Sequence, residues 1–395
     1  MDTILTVNGG SSSLKCGLYS FRDDGLHCHY HLKLGNLLGD TARFDIMDEA
    51  DAPLEHQDLP FAGLDPERRH QAALEHILGW LQEHQSDLNL IATGHRIVHG
   101  GDRFGAPVQL GDEELEQLRR YIPLAPLHQP YNLRLVEACA RLAPEIPRIA
   151  CFDTMFHSQQ PRLEKMYAIP RELTDAGVHK YGFHGLSYDY IQSQLESLGA
   201  GRLKTVVCHL GAGASMCAIR DGRSIASSMG FTALDGLPMG TRCGNLDPGV
   251  LLYLMQEKKM DADAIQTLLY KQSGWLGVSD ISSDMITLHQ SDAPAADEAI
   301  ELFAYRIALE IGRLTAALGG LEQLVFTGGV GENDSDVRAR VLARCDWLGL
   351  AMDASANRDN RSEIHAQGSQ VVVRVIPTNE EAMIARHAAR LLGLS

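Results

Sequence analysis

Apolar positions along the chain gather into short β-rich runs that end in glycine, and into longer stretches with helical spacing. The opening ILTVN, the turn from Gly9 to Ser13 and the following LKCGLYSF predict a strand, a tight turn and a second strand. Residues 22–62 are polar and irregular and predict further strands joined by loops. Asp65 followed by Pro66 reads as a cap with proline at the first helical position, and Leu74, Ile77, Leu78 and Leu81 repeat at helical spacing behind it. IATGHRIVHGG predicts a strand entering a glycine turn. Amphipathic helices follow near 112–122 and 130–142, then the strand RIACFDT. The second half repeats this outline. TVVCHLGAGASMCAIRDG is again strand, glycine turn and strand, and aligning Ser13 with Ser215 suggests an internal duplication. Helices are predicted near 246–258, 261–271 and 296–318, the last with Ile300, Phe303, Ile307, Ile311, Leu314 and Leu318 on one stripe. LVFTGGVGEN predicts strand, glycine turn and helix, and QVVVRVIPTNEE the last strand before a terminal helix. Strands and helices that alternate in two similar halves predict an α/β class with two lobes and a ligand cleft between them.

Composition narrows the function more than the fold. With 395 residues, 45% hydrophobic and 22% charged, the chain has the makings of two ordinary globular domains. A net charge of −16 argues against a general nucleic-acid binder, which neutralises phosphates with clustered Lys and Arg. No window approaches the length of a membrane span, and MDTILTVNGGSSSLK lacks the apolar core of a signal peptide, so a cytoplasmic protein is expected. The eight cysteines form no CxxC pair and read as small buried hydrophobes. Within HCHYH, strand alternation would put His27, His29 and His31 on one face, as metal ligands or, without a second ligand cluster nearby, as a solvated strand face.

Three glycine-rich turns follow β-rich runs: NGGSSS with Ser11 and Ser13, HLGAGAS, and TGGVGEN. Glycine lets backbone N–H groups approach an anion, and hydroxyls add donors, so such turns suit phosphate. None is a P-loop or a GxGxxG fingerprint. Lys15 sits just past the first turn. Arg96 in GHRIVHGG and Arg242 in MGTRCGNLDPG lie in apolar or glycine-rich settings, where an arginine meets either an internal carboxylate or an anionic substrate. His95 and His99 read as core or supporting histidines. Asp153 in FDTMFH and His184 in YGFHGLSY are held among aromatics; each is a functional candidate, or else a helix cap and a core histidine. The absence of a GxSxG elbow sets aside a serine hydrolase. Asn8 and Glu380 offer hard oxygens of the kind magnesium takes, although Glu380 and Glu381 also resemble ordinary first-turn carboxylates.

Taken in order, VNGGSSSLK, GHRIVHGG, APLHQP, FDTMFH, YGFHGLS, HLGAGAS, MGTRCGNLDPG, FTGGVGEN and PTNEE resemble the successive motifs of the acetate kinase family over nearly the whole chain. The resemblance implies the two-lobed, actin-like ATPase fold of the acetate and sugar kinase, heat-shock chaperone and actin superfamily, with duplicated ribonuclease-H-like cores. It implies an N-terminal lobe of residues 1–153 completed by the C-terminal helix 382–395, and a nucleotide-binding and dimerisation lobe of residues 154–381. It also implies ATP or ADP as co-substrate, Mg2+ (or Mn2+) as cofactor, acetate or another short-chain carboxylate as partner, and a homodimer. By motif, Asn8 and Glu380 match the magnesium positions, Lys15 the ATP-binding lysine, Arg96 the carboxylate arginine and Asp153 the catalytic aspartate. His184 and Arg242 match the residues assigned to the transition state. His209, Leu210, Gly211, Ala212 and Gly213 match one nucleotide segment, Asp284, Met285 and Ile286 a second, and Gly329, Val330, Gly331, Glu332 and Asn333 a third. Val98, Leu127 and Phe183 fall where the family lines its acyl pocket. Three positions depart from common family residues: Ala212 for Asn, Ile286 for Arg, and Ala233 for Pro beside the acyl pocket.

The expected reaction is reversible phosphoryl transfer from ATP to a carboxylate that is already ionised. No general base is required, and Asp153 is better read as an orienter than as a proton acceptor. Propionate is the alternative substrate, since Ala233 leaves room for a larger acyl group. A nucleotide-regulated binding protein of the same superfamily and a sugar kinase are the rival readings. Guanidinium groups scattered far apart, or paired off with internal carboxylates, would overturn the enzymatic one.

Overall fold

The computed structural model describes residues 1–10, 12–22, 25–65, 68–84 and 88–394. The chain divides into two units. The first comprises Met1–Phe156, Gly185–Tyr190 and Asn379–Ser395, and the second His157–His184 and Ile191–Thr378. The division falls after Phe156, and it assigns the first half of the helix Gly185–Ser197 to the first unit.

In the first unit, β1 (Asp2–Gly9), β2 (Leu14–Arg22), β3 (Gly25–Gly35), β4 (Thr41–Met47), β5 (Pro53–Pro60), β6 (Asn89–Ile97), β7 (Val108–Gln109) and β8 (Arg148–Phe152) form one sheet in the order β5-β4-β3-β2-β1-β6-β8-β7. In the second, β9 (Thr205–Leu210), β10 (Ala214–Arg220), β11 (Arg223–Ser227), β12 (Gln323–Thr327) and β13 (Val372–Val375) order as β11-β10-β9-β12-β13. Each unit contains an antiparallel hairpin, β1–β2 or β9–β10, whose first strand runs parallel to a later one, β6 or β12. The orders β3-β2-β1-β6-β8 and β11-β10-β9-β12-β13 are the same arrangement written twice, which is the duplication the sequence suggested. Its register differs from the sequence alignment. Asn8 faces Lys15 across the first hairpin and His209 faces Ser215 across the second, so Lys15, not Ser13, is the counterpart of Ser215.

Apolar alternation explains where the cores lie. In the first unit, Leu5, Val7, Leu18, Leu34 and Phe44 pack with Leu74 and Ile77 from the helix Arg69–His84 and with Leu135 from the helix Gln129–Leu142. A second cluster joins Ile4, Ala92, Ile149 and Phe152 to Met383, Ile384 and Ala388 of the terminal helix Glu380–Leu391. In the second unit the helix Pro294–Leu318 buries all six residues of its predicted stripe. Each such burial contributes about 1.5–3 kcal/mol.

Two local expectations change. The first helix is described over Arg69–His84, and Pro66, where the sequence predicted its first turn, lies outside the described residues. A β-bulge at His29, between the pairs Leu18–Tyr30 and Tyr19–Cys28, breaks the alternation that would have put His27, His29 and His31 on one face. His29 hydrogen-bonds Ser20 and His31 meets Cys28, and no cluster suited to a metal ion occurs among the described residues. No helix among the described residues is long and apolar enough to cross a membrane.

Candidate active site

In the first unit the glycine turn after β1 is fixed from below. Asn132, buried on the helix Gln129–Leu142, donates to the Gly9 carbonyl at 3.2 Å and accepts from the Val98 backbone N–H at 3.1 Å. His70 meets the Gly10 carbonyl at 2.7 Å. The ends of β1 and β6 are thereby tied together, which places Asn8 beside Arg96. Lys15, exposed and directly across the hairpin from Asn8, shares its face of the sheet. Gly10 and Ser13 close the turn through a backbone bond; Ser11 lies outside the described residues.

The guanidinium of Arg96 donates through Nε to Asp153 Oδ1 at 2.9 Å, through Nη2 to Asp153 Oδ2 at 2.6 Å, and through Nη1 to Asn8 Oδ1 at 3.1 Å. Asn8 Nδ2 donates to Glu380 Oε2 at 3.1 Å and to Glu381 Oε1 at 2.9 Å, and Glu380 Oε2 lies 3.8 Å from Arg96 Nε. Arg96 is therefore paired with an internal carboxylate, the alternative that the sequence left open. Its partner is Asp153, one of the matched residues. Burial pushes the Asp153 carboxyl above its ordinary range, and Arg96 opposes this. Burial also works against the charge on Arg96, but Asp153 and Glu380 outweigh it and hold the guanidinium protonated. A guanidinium never gives up its proton at working pH, so Arg96 stays charged. These bonds engage Nε and one N–H on each terminal nitrogen. Among the described residues these bonds leave two of the five donors for a further anion. Val98 is buried and Leu127 half-buried in the same unit; Phe183 is buried in the second.

In the second unit His184 occupies the left-handed region at φ 56°, at the residue before the helix Gly185–Ser197, with its side chain turned to other partners. Its Nδ1 meets Ser215 Oγ at 2.8 Å, and its ring stacks on His209 at 4.3 Å between centroids. The preceding carbonyl of Phe183 is held by His157 Nε2 at 3.0 Å, while Ser224 engages His157 Nδ1 at 2.8 Å. Burial lowers His157 to about 4, so this support is a neutral imidazole. Arg242 Nη1 donates to the Ala233 carbonyl at 2.9 Å. Its loop is packed against Gly274, where φ is +63° and a side chain would strike the Met239 and Arg242 backbone. A carbon built on Gly213 would lie 3.6 Å from His184 Nε2 and 3.8 Å from Arg242 Nη2. One small group above Gly213 can therefore touch both cationic or donor side chains.

The three segments matched by motif to nucleotide binding meet in a cavity of about 710 Å³ within the second unit. Gly211 and Ala212, Asp284 to Ile286, and Gly329, Val330 and Asn333 all line it. His209, Leu210, Gly213, Gly331 and Glu332 do not. Leu210 is buried in the sheet, and Glu332 is used structurally: its Oε1 accepts from the Gly328 N–H at 2.8 Å and the Thr378 N–H at 3.0 Å. The glycines of TGGVGEN are themselves helical, in Gly328–Asn333, so the predicted turn is the start of the helix. Gly328 is required there, with φ +78° and the Leu210 carbonyl only 2.7 Å from where a Cβ would sit. Asp284 caps the helix Met285–His289 by accepting from the Thr287 backbone N–H at 3.0 Å and its hydroxyl at 2.8 Å, leaving Ile286 exposed at the cavity.

A model of the acetokinase family matches residues 3–386. The chain belongs to the acetokinase family. An acetate kinase of Rhodopseudomonas palustris is 49% identical to it, over 99% of this chain and 98% of that protein. The crystal structure of Porphyromonas gingivalis acetate kinase superposes with a TM-score of 0.86 at 35% identity, over 99% of this chain and 100% of the other. A propionate kinase from Francisella tularensis superposes with a TM-score of 0.89 at 34% identity, over 98% and 99%. The actin-like ATPase fold expected from the motifs is therefore the fold of this acetokinase-family chain.

Several residues of this family member carry weight that its sequence did not reveal. Trp275, Ser283, His289 and Asp334 join the cavity wall, with His289 Nε2 and Asp334 Oδ2 2.7 Å apart. Arg338 is fully buried and donates to the Gly331 and Glu332 carbonyls, each at 2.9 Å, fixing the end of the glycine helix. An arginine inside VRARVL gave no sign of this. Asn132 and Ser215 were equally silent, because their partners lie 31 or more residues away in sequence.

Proposed function

We propose that the chain catalyses reversible phosphoryl transfer from ATP to acetate, giving ADP and acetyl phosphate. Family membership over nearly the whole chain supports the reaction class. The observation that carries the chemistry is the convergence of His184 Nε2 and Arg242 Nη2 on one point above Gly213. That glycine follows Gly211 and Ala212, which line the nucleotide cavity, so a γ-phosphoryl group at that end of the loop meets both donors. Phosphoryl transfer is mainly positioning and electrostatics, and donors aimed at the equatorial oxygens stabilise the charge as it shifts.

The acetate carboxylate is ionised at neutral pH and needs no base. Arg96, oriented by Asp153 and Asn8, presents its two remaining N–H donors to that carboxylate. Val98 and Leu127, apolar residues of the same unit as Arg96, would take its methyl group. Lys15 attracts the phosphate tail, a local positive charge on a chain of net charge −16. The hard oxygens of Asn8 and Glu380, with Glu381 adjoining, fit the donor chemistry of Mg2+. When bound, the ion neutralises phosphate charge. We place the protein in the cytoplasm and read it as a homodimer built through the second unit. Val250, Leu252, Tyr253 and Met255 on the helix Pro248–Gln256, and Tyr305 and Leu309 on Pro294–Leu318, are exposed apolar side chains that favour such a contact.

Propionate is the second reading. The small Ala233, which braces Arg242 through its carbonyl, favours it, and one methylene changes specificity by only about 1–3 kcal/mol. Trapping the acyl phosphate with hydroxylamine, with acetate, propionate and butyrate in parallel, tests both. Hydroxamate should form fastest from acetate. ATP consumption without any hydroxamate would refute the reaction.

A further inference from the structure

The hairpin β9–β10 supplies two groups to the ring of His184. His209 and Ser215 are cross-strand partners and share one face of the sheet. His209 presents its ring as a flat wall, 25° from parallel with that of His184. Ser215, almost fully buried, meets the near nitrogen Nδ1 at 2.8 Å. The far nitrogen Nε2 is the one that approaches the point above Gly213, beside Arg242.

A phosphoryl oxygen at that point accepts hydrogen bonds only, so Nε2 must carry a proton to be useful. The chemistry of its neighbour decides whether it does. A carboxylate beside Nδ1 accepts only; in the neutral ring it would draw the proton to Nδ1 and leave Nε2 bare. A hydroxyl works in either direction. It can donate to Nδ1 of a neutral imidazole whose proton is on Nε2, and accept from Nδ1 when the imidazole is charged. In both of those arrangements Nε2 carries a proton.

We propose that Ser215 is a positioning residue for the transfer step: its hydroxyl donates to Nδ1 of the neutral His184 ring, which favours a proton on Nε2, and holds that ring against His209. The proposal rests on the reading of His184 as a donor to the transferring phosphoryl group. It assigns a function to a serine in HLGAGAS that is separate from any contact of that loop with the nucleotide.

The test combines spectroscopy with kinetics. In protein labelled with 15N-histidine, and with the His184 signals assigned from His184→Gln, the wild-type ring should be the Nε2–H tautomer near pH 8. In Ser215→Ala the nitrogen shifts should move toward a mixture of tautomers, and Ser215→Thr should restore them. Turnover of Ser215→Ala should fall about tenfold, the weight of one neutral hydrogen bond, with KM for ATP and acetate within twofold. Ser215→Thr should recover most of that loss. In a His184→Ala background, Ser215→Ala should cost less than a further twofold, because its effect passes through the imidazole. An unchanged imidazole spectrum in Ser215→Ala, or an undiminished loss in the His184→Ala background, overturns the proposal while leaving the reaction intact. Wild-type turnover in His184→Ala overturns the reading of His184 itself, and the proposal with it.

Discussion

Replacing Asp153 with asparagine keeps the shape of the side chain and removes its charge, which isolates the hold on Arg96. Asp153 is 1% exposed and the Arg96 side chain 14%, so the pair sits largely out of water. Removing one partner of such a pair costs about 3–5 kcal/mol, because the other is left buried and uncompensated. Asparagine retains one acceptor for the 2.9 Å bond from Nε but turns an amide N–H, or loses an acceptor, toward the 2.6 Å bond from Nη2. Glu380, at 3.8 Å from Nε, still attracts the guanidinium by about 4 kcal/mol if the effective dielectric constant is about 20. The net expectation for Asp153→Asn is a folded protein destabilised by about 2–4 kcal/mol. Its turnover should be about 10²–10³ lower, because an arginine no longer squared by two oxygens cannot align a carboxylate. Urea unfolding followed by tryptophan fluorescence gives the first quantity as a shift in midpoint at constant slope. Steady-state kinetics with saturating ATP give the second. A variant within about 0.5 kcal/mol of wild type and within threefold in kcat would show that Asp153 does not hold Arg96 for catalysis.

Arg242→Ala should fold and bind ATP nearly as wild type while kcat falls about 10²–10³, and wild-type turnover would remove Arg242 from the transfer step. Glu332→Ala leaves the Gly328 and Thr378 N–H groups without their acceptor, so KM for ATP should rise about three- to tenfold with kcat within twofold; an unchanged KM would mean that the glycine helix holds its shape without that carboxylate. His157 is neutral in the folded chain, with its titration lowered to about 4 by burial, whereas in the unfolded chain it takes a proton near its ordinary value. The unfolded state therefore binds the extra proton. The stability contributed by this group is complete above about pH 6.5 and is lost as pH falls toward 4. Over that window the loss is on the order of 3 kcal/mol. His157→Asn should flatten the pH dependence of the urea midpoint there, and an unaltered slope would contradict the buried neutral imidazole. Sedimentation should give twice the chain mass, and Leu252→Glu paired with Leu309→Glu should halve it without unfolding; a monomeric wild type would refute the dimer.

Local pattern made the strand–turn–strand openings of both units legible, since β-branched residues next to glycine leave few other folds. The stripe on Pro294–Leu318 was equally plain, because six apolar positions at helical spacing need a common partner. Arg96 and Asp153 were visible as charged residues in apolar runs, but their pairing was not: it depends on β6 and β8 being neighbours in the sheet. The same holds for Asn132 and Ser215, whose side chains serve backbone or ring atoms far away in sequence. Glu332 looked like part of a glycine-rich phosphate loop and proved to be its brace. The three histidines of HCHYH failed for a different reason: a single bulged residue shifts the facing of every side chain beyond it.

Acetate labelled with 18O in both carboxylate oxygens, supplied with ATP and hydroxylamine, tests the proposed chemistry most directly. Attack of a carboxylate oxygen on the γ-phosphoryl group carries that oxygen into the bridge of acetyl phosphate, and hydroxylamine then cleaves at the acyl carbon. Each phosphate released should therefore contain one 18O atom, and each hydroxamate the other. Phosphate without label, formed while ATP is consumed, would mean that water rather than the carboxylate receives the phosphoryl group.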